Sequence, residues 1–246
     1  MTSDDSFRGQ ARGWHVRVVA ETGSTNADLL EAAVEGAPDR SVLVARHQTA
    51  GRGRLDRRWE APPGANLLVS LLFRSRVGDP HLLTQRVALA AQEAARLTAG
   101  VEALLKWPND LLVGTAKLAG ILAQARPAGE GSRQQGLDVV VGIGVNVGWC
   151  PEGAARLGDG IDPTDVLDAM LTAFDTLPDS DSDLSALYRT RLATLGREVR
   201  VELTGPGGDG VITGRAVDVD DEGRLVVLDA CGITHRFATG DVMHLR

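Results

Sequence analysis

Four arginines fall within seven residues, at Arg52, Arg54, Arg57 and Arg58, in the run Gln48-Thr49-Ala50-Gly51-Arg52-Gly53-Arg54-Leu55-Asp56-Arg57-Arg58-Trp59. Glycines let a backbone adopt unusual angles and approach an anion closely. Arginine forks match phosphate oxygens two at a time, and a tryptophan face can stack on a base. Together these residues suit a nucleoside phosphate over which the loop closes. The same run is also compatible with a solvated basic loop or a nucleic-acid backbone patch. It is neither a Walker loop, since G-x-x-x-x-G-K-[ST] is absent, nor a dinucleotide fingerprint.

The second chemical signal is lysine. Of the 26 basic residues only Lys106 and Lys117 are lysine, and the rest are arginine. Lysine is a compact point charge where arginine is a planar fork, so the two survivors hint at a task that arginine cannot fill. Both lie in Lys106-Trp107-Pro108-Asn109-Asp110 and Lys117-Leu118-Ala119-Gly120-Ile121. Pro-Asn-Asp is turn chemistry, which brings Asp110 and Lys117 together on a ribbon. There Lys117 can neutralise a carboxylate attacking phosphorus, and Asp110 can orient an amine or accept its proton. An ordinary hairpin with a surface ion pair would have the same spacing.

Two further runs carry polar groups in tight places. Gly142-Ile143-Gly144-Val145-Asn146 sets two glycines in an apolar strand, which marks a close approach of ligand or backbone, or a bulge. Asn146 can present an amide there. Gly23-Ser24-Thr25-Asn26 supplies hydroxyls and an amide at a helix start, for capping or for a small polar ring.

Positioning these residues requires a recognisable scaffold. Alternation predicts strands at 14–20, 41–45, 66–73, 104–107, 111–113, 118–125 and 138–147. Helices are expected from 24 or 25 to about 35, with Thr25 and Asp28 in capping-box spacing, at 81–99, near 165–177 with Thr164 as cap, and at 183–195. Residues 46–65 form a long loop, 127–136 a Gly/Gln-rich one, and 1–13 a tail. After Gly196 come five short alternating segments, 199–203, 210–219, 225–228, 234–237 and 242–245, which read as a small antiparallel barrel. The expected class is α+β. A mixed-sheet catalytic domain packed by helices spans 14–195, and a small SH3-like β-barrel spans 196–246.

Composition narrows the function. The net charge of −7 argues against general attraction to nucleic acid or anionic membrane. No run is long and apolar enough for a membrane span, and the first residues lack a secretory core. Two cysteines make no disulfide framework, so a cytoplasmic setting is expected.

In order and spacing, the runs at 23–26, 48–54 with Trp59, 106–110, 117–121 and 142–146 resemble the biotin–protein ligases, also called biotin–[acetyl-CoA carboxylase] ligases. The resemblance covers about residues 14–246. It implies an enzyme that makes biotinyl-AMP from biotin and ATP and transfers biotin to a lysine of a biotin carboxyl carrier protein. By position, Ser24, Thr25, Asn26 and Gln48 would bind the ureido ring. Arg52, Gly53 and Arg54 would close over biotin and phosphate, and Arg57 would join the nucleotide set. Trp59 would pack near adenine and Asn146 would contact it. Lys117 would meet the biotin carboxylate and the α-phosphate, with Arg54 and Asp110 completing the catalytic set. No metal-ligating side-chain set is expected, and Mg²⁺ would come with ATP. One departure is Asp56-Arg57, where the family usually has Gly-Arg. Only about 13 residues precede the first strand, too few for the helix-turn-helix domain of some members, so no DNA partner is expected. A homodimer is left open. The alternatives are a lipoate–protein ligase or octanoyltransferase, against which the 48–54 motif and the Lys117 strand speak, and a nucleic-acid-binding module.

Overall fold

A computed structural model describes residues 13–55, 57–76, 80–128, 136–203 and 210–245. The expected tail up to residue 12, Asp56 and most of the 127–136 loop lie outside the described residues.

The first sheet has seven strands, in the order β1-β2-β3-β7-β6-β5-β4. They are β1 (His15–Thr22), β2 (Ser41–Gln48), β3 (Leu67–Arg76), β4 (Leu104–Lys106), β5 (Asp110–Val113), β6 (Ala116–Pro127) and β7 (Leu137–Val145). Only the β1–β2 pair is parallel, because the helix α1 (Thr25–Val34) crosses between them; the other described pairs are antiparallel. The sheet is therefore mixed and the class α+β, as expected. Strand period sorts β3 between two faces. Leu67, Val69, Leu71 and Phe73 join the main core under α2 (Pro80–Ala99) and α3 (Pro163–Thr176), while Leu72 packs with Leu29 and Ala33 of α1. Trp14, Phe73 and Phe174 close the main core as an aromatic cluster, with centroids 5.2 to 6.1 Å apart.

Several boundaries differ from expectation for local reasons. β2 continues to Gln48, so the long loop starts later than residue 46. The capping box at Thr25 and Asp28 does not form: Ser24 is the N-cap without a side-chain bond, and Asp28 instead accepts the Thr22 hydroxyl at 2.6 Å. Thr164 does not cap α3. Asp162 does, accepting the Thr164 N–H at 2.8 Å, because Pro163 takes the first helical position, which sets the cap two residues before Thr164. The last helix, α4 (Asp181–Arg191), ends before 195, where the Ala193 N–H leaves it for the Leu105 carbonyl.

The C-terminal strands are β8 (Glu198–Leu203), β9 (Gly210–Val219), β10 (Leu225–Asp229), β11 (Thr234–Phe237) and β12 (Asp241–His244). They form a five-stranded antiparallel sheet in the order β11-β10-β9-β8-β12. Its buried Val199, Val201, Val227, Phe237 and Val242 belong to the same hydrophobic cluster as the first sheet. Polar contacts stitch the seam. Trp107 Nε1 donates to the Gly223 carbonyl at 3.0 Å, and Thr194 Oγ1 accepts the Trp107 N–H at 3.0 Å while facing His244 Nε2 at 3.1 Å.

Burial, with the charges of Lys106 and Arg197 nearby, pushes the His244 imidazole down to about 4. The folded pKa lies below the unfolded value of about 6.5, so below that value the unfolded chain binds a proton that the folded chain refuses. Stability from this group is full above pH 6.5 and declines as pH falls towards 4. The melting temperature should therefore drop between pH 7 and 5, and His244→Gln should flatten that drop. A drop equally steep in the variant would show that His244 is not its source.

Candidate active site

A cavity of about 350 Å³ opens where β6, β7 and the start of α1 meet the arginine loop and the C-terminal sheet. Every residue expected at the site lines it: Ser24, Thr25, Asn26, Gln48, Arg52, Gly53, Arg54, Arg57, Trp59, Asp110, Lys117 and Asn146. The Trp107–Pro108 peptide beside it is cis.

The floor is the glycine strand. A Cβ on Gly142 would lie 2.1 Å from Asn26 Oδ1, and one on Gly144 would lie 2.4 Å from the Trp59 ring. Both glycines are thus required by close approach, one of a side chain beneath the cavity wall and one of the loop's indole. Gly142→Ala should weaken binding of biotin, the ligand that the sequence resemblance implies, about 10- to 100-fold, because Asn26 is pinned by hydrogen bonds and cannot yield without breaking them. Calorimetric biotin affinity equal to the wild type would disprove this.

At one end, the Ser24 hydroxyl makes no capping bond and Gln48 Oε1 accepts the Thr25 N–H at 2.8 Å. Both amide hydrogens of Asn26 are engaged. Its Nδ2 donates to the Leu122 carbonyl and Gln124 Oε1 at 3.0 and 2.9 Å, and its Oδ1 accepts from Ser70 Oγ at 2.6 Å. Asn26 therefore shapes the wall, and the groups left to meet a ligand are those of Ser24, Thr25 and Gln48.

Asn146 is similarly committed. Its Nδ2 donates to the Lys117 and Ala155 carbonyls at 3.3 and 2.9 Å, and its Oδ1 accepts from Asn66 at 3.3 Å. Its amide hydrogens hold the turn that follows β7. What remains towards the cavity is acceptor capacity on Oδ1.

Lys117 Nζ lies 2.6 Å from Asp110 Oδ1. The contact is one of charge rather than of a well-aligned hydrogen bond, since that buried oxygen has no donor along a hydrogen-bonding direction. The ammonium is also 5.6 Å from the centroid of the Trp59 ring, whose Nε1 is buried without a partner. β-Pairing explains the juxtaposition: Asp110 opens β5 opposite Gly120, and Lys117 lies on the adjoining β6. Lys106 also lines the cavity.

The arginine loop is folded against both halves of the molecule. The Gly53 N–H donates to the Arg57 carbonyl at 2.7 Å, the Trp59 N–H to that of Gly51 at 3.0 Å. The left-handed backbone in this loop falls on Leu55, at φ 55°. Arg54 donates to Asn109 Oδ1 and Thr239 Oγ1, both at 3.2 Å, and to the Gly240 carbonyl at 3.4 Å. Burial lowers its pKa, partly offset by Asp110 and Asp241. Arg57 pairs with Asp241, whose hydrogen bond raises the arginine's pKa.

Sequence reasoning missed Ser70, Asn109 and the Thr239-Gly240-Asp241 turn. Ser70 had a signal, a single hydroxyl inside the apolar run 67–73. The turn had none, because it lies about 185 residues from its arginine partners.

A model of the biotin/lipoate A/B protein ligase family matches residues 18–146, and one of the biotin protein ligase C-terminal domain matches 194–245. The chain belongs to the biotin/lipoate A/B protein ligase family. It is 41% identical to a biotin–[acetyl-CoA-carboxylase] ligase of Mycobacterium tuberculosis, over 98% of this chain and 94% of that protein. A biotin–[acetyl-CoA-carboxylase] ligase of Paracoccus denitrificans is 32% identical over 87% of this chain and 95% of its own length. Among solved structures, the biotin protein ligase from Aquifex aeolicus in complex with biotin and ATP aligns with a TM-score of 0.74 at 25% identity, covering 94% of this chain and 99% of that one.

Proposed function

We propose that the protein is a biotin–protein ligase that adenylates biotin with ATP and passes the biotinyl group to a lysine of a carboxyl carrier protein of acetyl-CoA carboxylase. The observation that carries the reading is the Lys117–Asp110 pair in the lining of one cavity. The same cavity is lined by the hydrogen-bonding groups of Ser24, Thr25 and Gln48 and by the arginine loop with Trp59. The close likeness to named biotin ligases supports the same substrate.

In the first step a biotin carboxylate oxygen bonds to the α-phosphorus of ATP and the bond to pyrophosphate breaks. Lys117 relieves the repulsion between the two anions, and Arg52, Arg54 and Arg57 balance the phosphates. In the second step the acceptor amine attacks the biotinyl carbonyl carbon, AMP leaves, and Asp110 takes the amine's proton. Mg²⁺ would arrive with ATP and neutralise the departing pyrophosphate. The described residues contain no group of three His, Cys, Asp or Glu able to hold a metal, so the phosphate oxygens of ATP would be its ligands. Among the described residues, no helix is long and apolar enough to cross a membrane.

The test is incubation with biotin and ATP, followed by mass spectrometry for biotinyl-AMP and for label on a carrier domain. Formation of lipoyl-AMP from lipoate, with none of the biotinyl adduct, would transfer the protein to the lipoate branch.

A further inference from the structure

Ser70 is fully buried at the centre of β3 and does not line the cavity; it stands behind Thr25 and Asn26. Its Oγ lies 2.7 Å from Thr25 Oγ1 and 2.6 Å from Asn26 Oδ1, and Thr25 Oγ1 lies 3.1 Å from Gln48 Oε1. Four oxygens thus stand in a row: Gln48 Oε1, Thr25 Oγ1, Ser70 Oγ and Asn26 Oδ1. Both ends are acceptors, each for an independent reason. Gln48 Oε1 accepts the backbone N–H of Thr25, which an amide nitrogen could not do. Asn26 turns its Nδ2 to the Leu122 carbonyl, which leaves its oxygen towards Ser70. Three oxygen–oxygen contacts therefore share two hydroxyl hydrogens. The two shorter contacts, both at Ser70, take them: Ser70 donates to Asn26, and Thr25 donates to Ser70. The longer contact, with Gln48, is left without a hydrogen.

We propose that Ser70 is a positioning residue that commits the Thr25 hydrogen inward, so that Thr25 meets the ligand purely as an acceptor and selects a ring bearing an N–H. This rests on the biotin reading of that end of the cavity. A cyclic urea carries an N–H on each side of its carbonyl, while Ser24 Oγ and Gln48 Nε2 are donors for the carbonyl oxygen. A dithiolane ring has no N–H and would leave the Thr25 lone pairs against Gln48 Oε1 uncompensated. Sites built to accept a substrate hydrogen reject analogues that lack it. Ser70, a residue that never touches the ligand, would then set the preference for biotin over lipoate-like acids.

Ser70→Ala removes the inward acceptor without adding volume, and the Thr25 hydrogen can turn towards Gln48. Wild type and variant are compared by calorimetry with biotin and with its two carbamate analogues, each having one ring N–H replaced by oxygen; KM for ATP is measured alongside. The expected result is biotin affinity down about tenfold, KM for ATP unchanged, and the wild-type preference for biotin over one carbamate isomer reduced towards unity. Thr25→Val, of equal volume, should reproduce the loss and keeps the test decisive if Ser70→Ala folds poorly. Unchanged biotin affinity, or equal losses for biotin and both carbamates, overturns the role of Ser70. A wild-type protein that binds no biotin overturns the reading of the whole site, and this proposal with it.

Discussion

Replacing Lys117 with alanine slows biotinyl-AMP formation by ~10²–10³, the typical consequence of removing a group that stabilises charge in the transition state. The carboxylate of biotin and the α-phosphate of ATP must meet although both are anionic, and charge grows at phosphorus as they do. Lys117 is placed for this by β6 and by Asp110, 2.6 Å away, which fixes the ammonium before any ligand arrives. Removal also leaves Asp110 as an unpaired carboxylate beside the incoming anions, so the deficit combines a lost attraction with a new repulsion. Lys117→Arg keeps the charge but brings a wider fork. Trp59 and Gly120 crowd the position, with a Cβ on Gly120 already only 3.0 Å from Nζ, so arginine should recover part of the rate. Biotin affinity should fall less than the rate, because Ser24, Thr25 and Gln48 remain. Single-turnover formation of biotinyl-AMP, measured beside calorimetric biotin binding, checks both statements. A wild-type rate in Lys117→Ala would make this lysine an ordinary rim charge.

Arg54→Gly should still make biotinyl-AMP, more slowly, and release it about 10- to 100-fold faster, as expected for the loss of one or two charge-assisted hydrogen bonds. Arg54 is a crossbar over the cavity. One end is on Asn109 in the β4–β5 turn, the other on Thr239 and Gly240 of the C-terminal sheet. Glycine would remove the crossbar and loosen a loop whose next residue, Leu55, already has left-handed backbone angles. Lys117 would still promote the first step, but the intermediate would escape. The readout is dissociation of preformed biotinyl-AMP into excess unlabelled ligand, together with labelling of bystander proteins. An intermediate held for the wild-type lifetime would remove Arg54 from this role.

Local pattern and long-range contact were unequally legible in the sequence. The strands from residue 198 onward can be read nearly residue by residue, because one face of each is buried and glycine or Asp-Glu-Gly turns separate them. The residues that line the cavity are legible because five short runs each combine a glycine or proline with polar side chains. Helix starts were read less well. Thr25 and Asp28 have the spacing of a capping box, but both side chains have better partners brought by β1 and β3. Asn26 and Asn146 look like ligand amides, yet their hydrogens are consumed by the wall itself. The Arg57–Asp241 contact joins residues 184 positions apart, beyond the reach of any local pattern.

The scarcity of lysine has a chemical corollary. A mixed anhydride such as biotinyl-AMP acylates any free amine it meets, and arginine at neutral pH offers none. Only two lysines exist in the chain, and both line the cavity, one of them against Asp110. The outer surface, positive almost entirely through guanidinium groups, therefore offers its own activated product no lysine amine. An enzyme of this composition can hold or leak a reactive acyl donor without tagging a lysine on its own exterior.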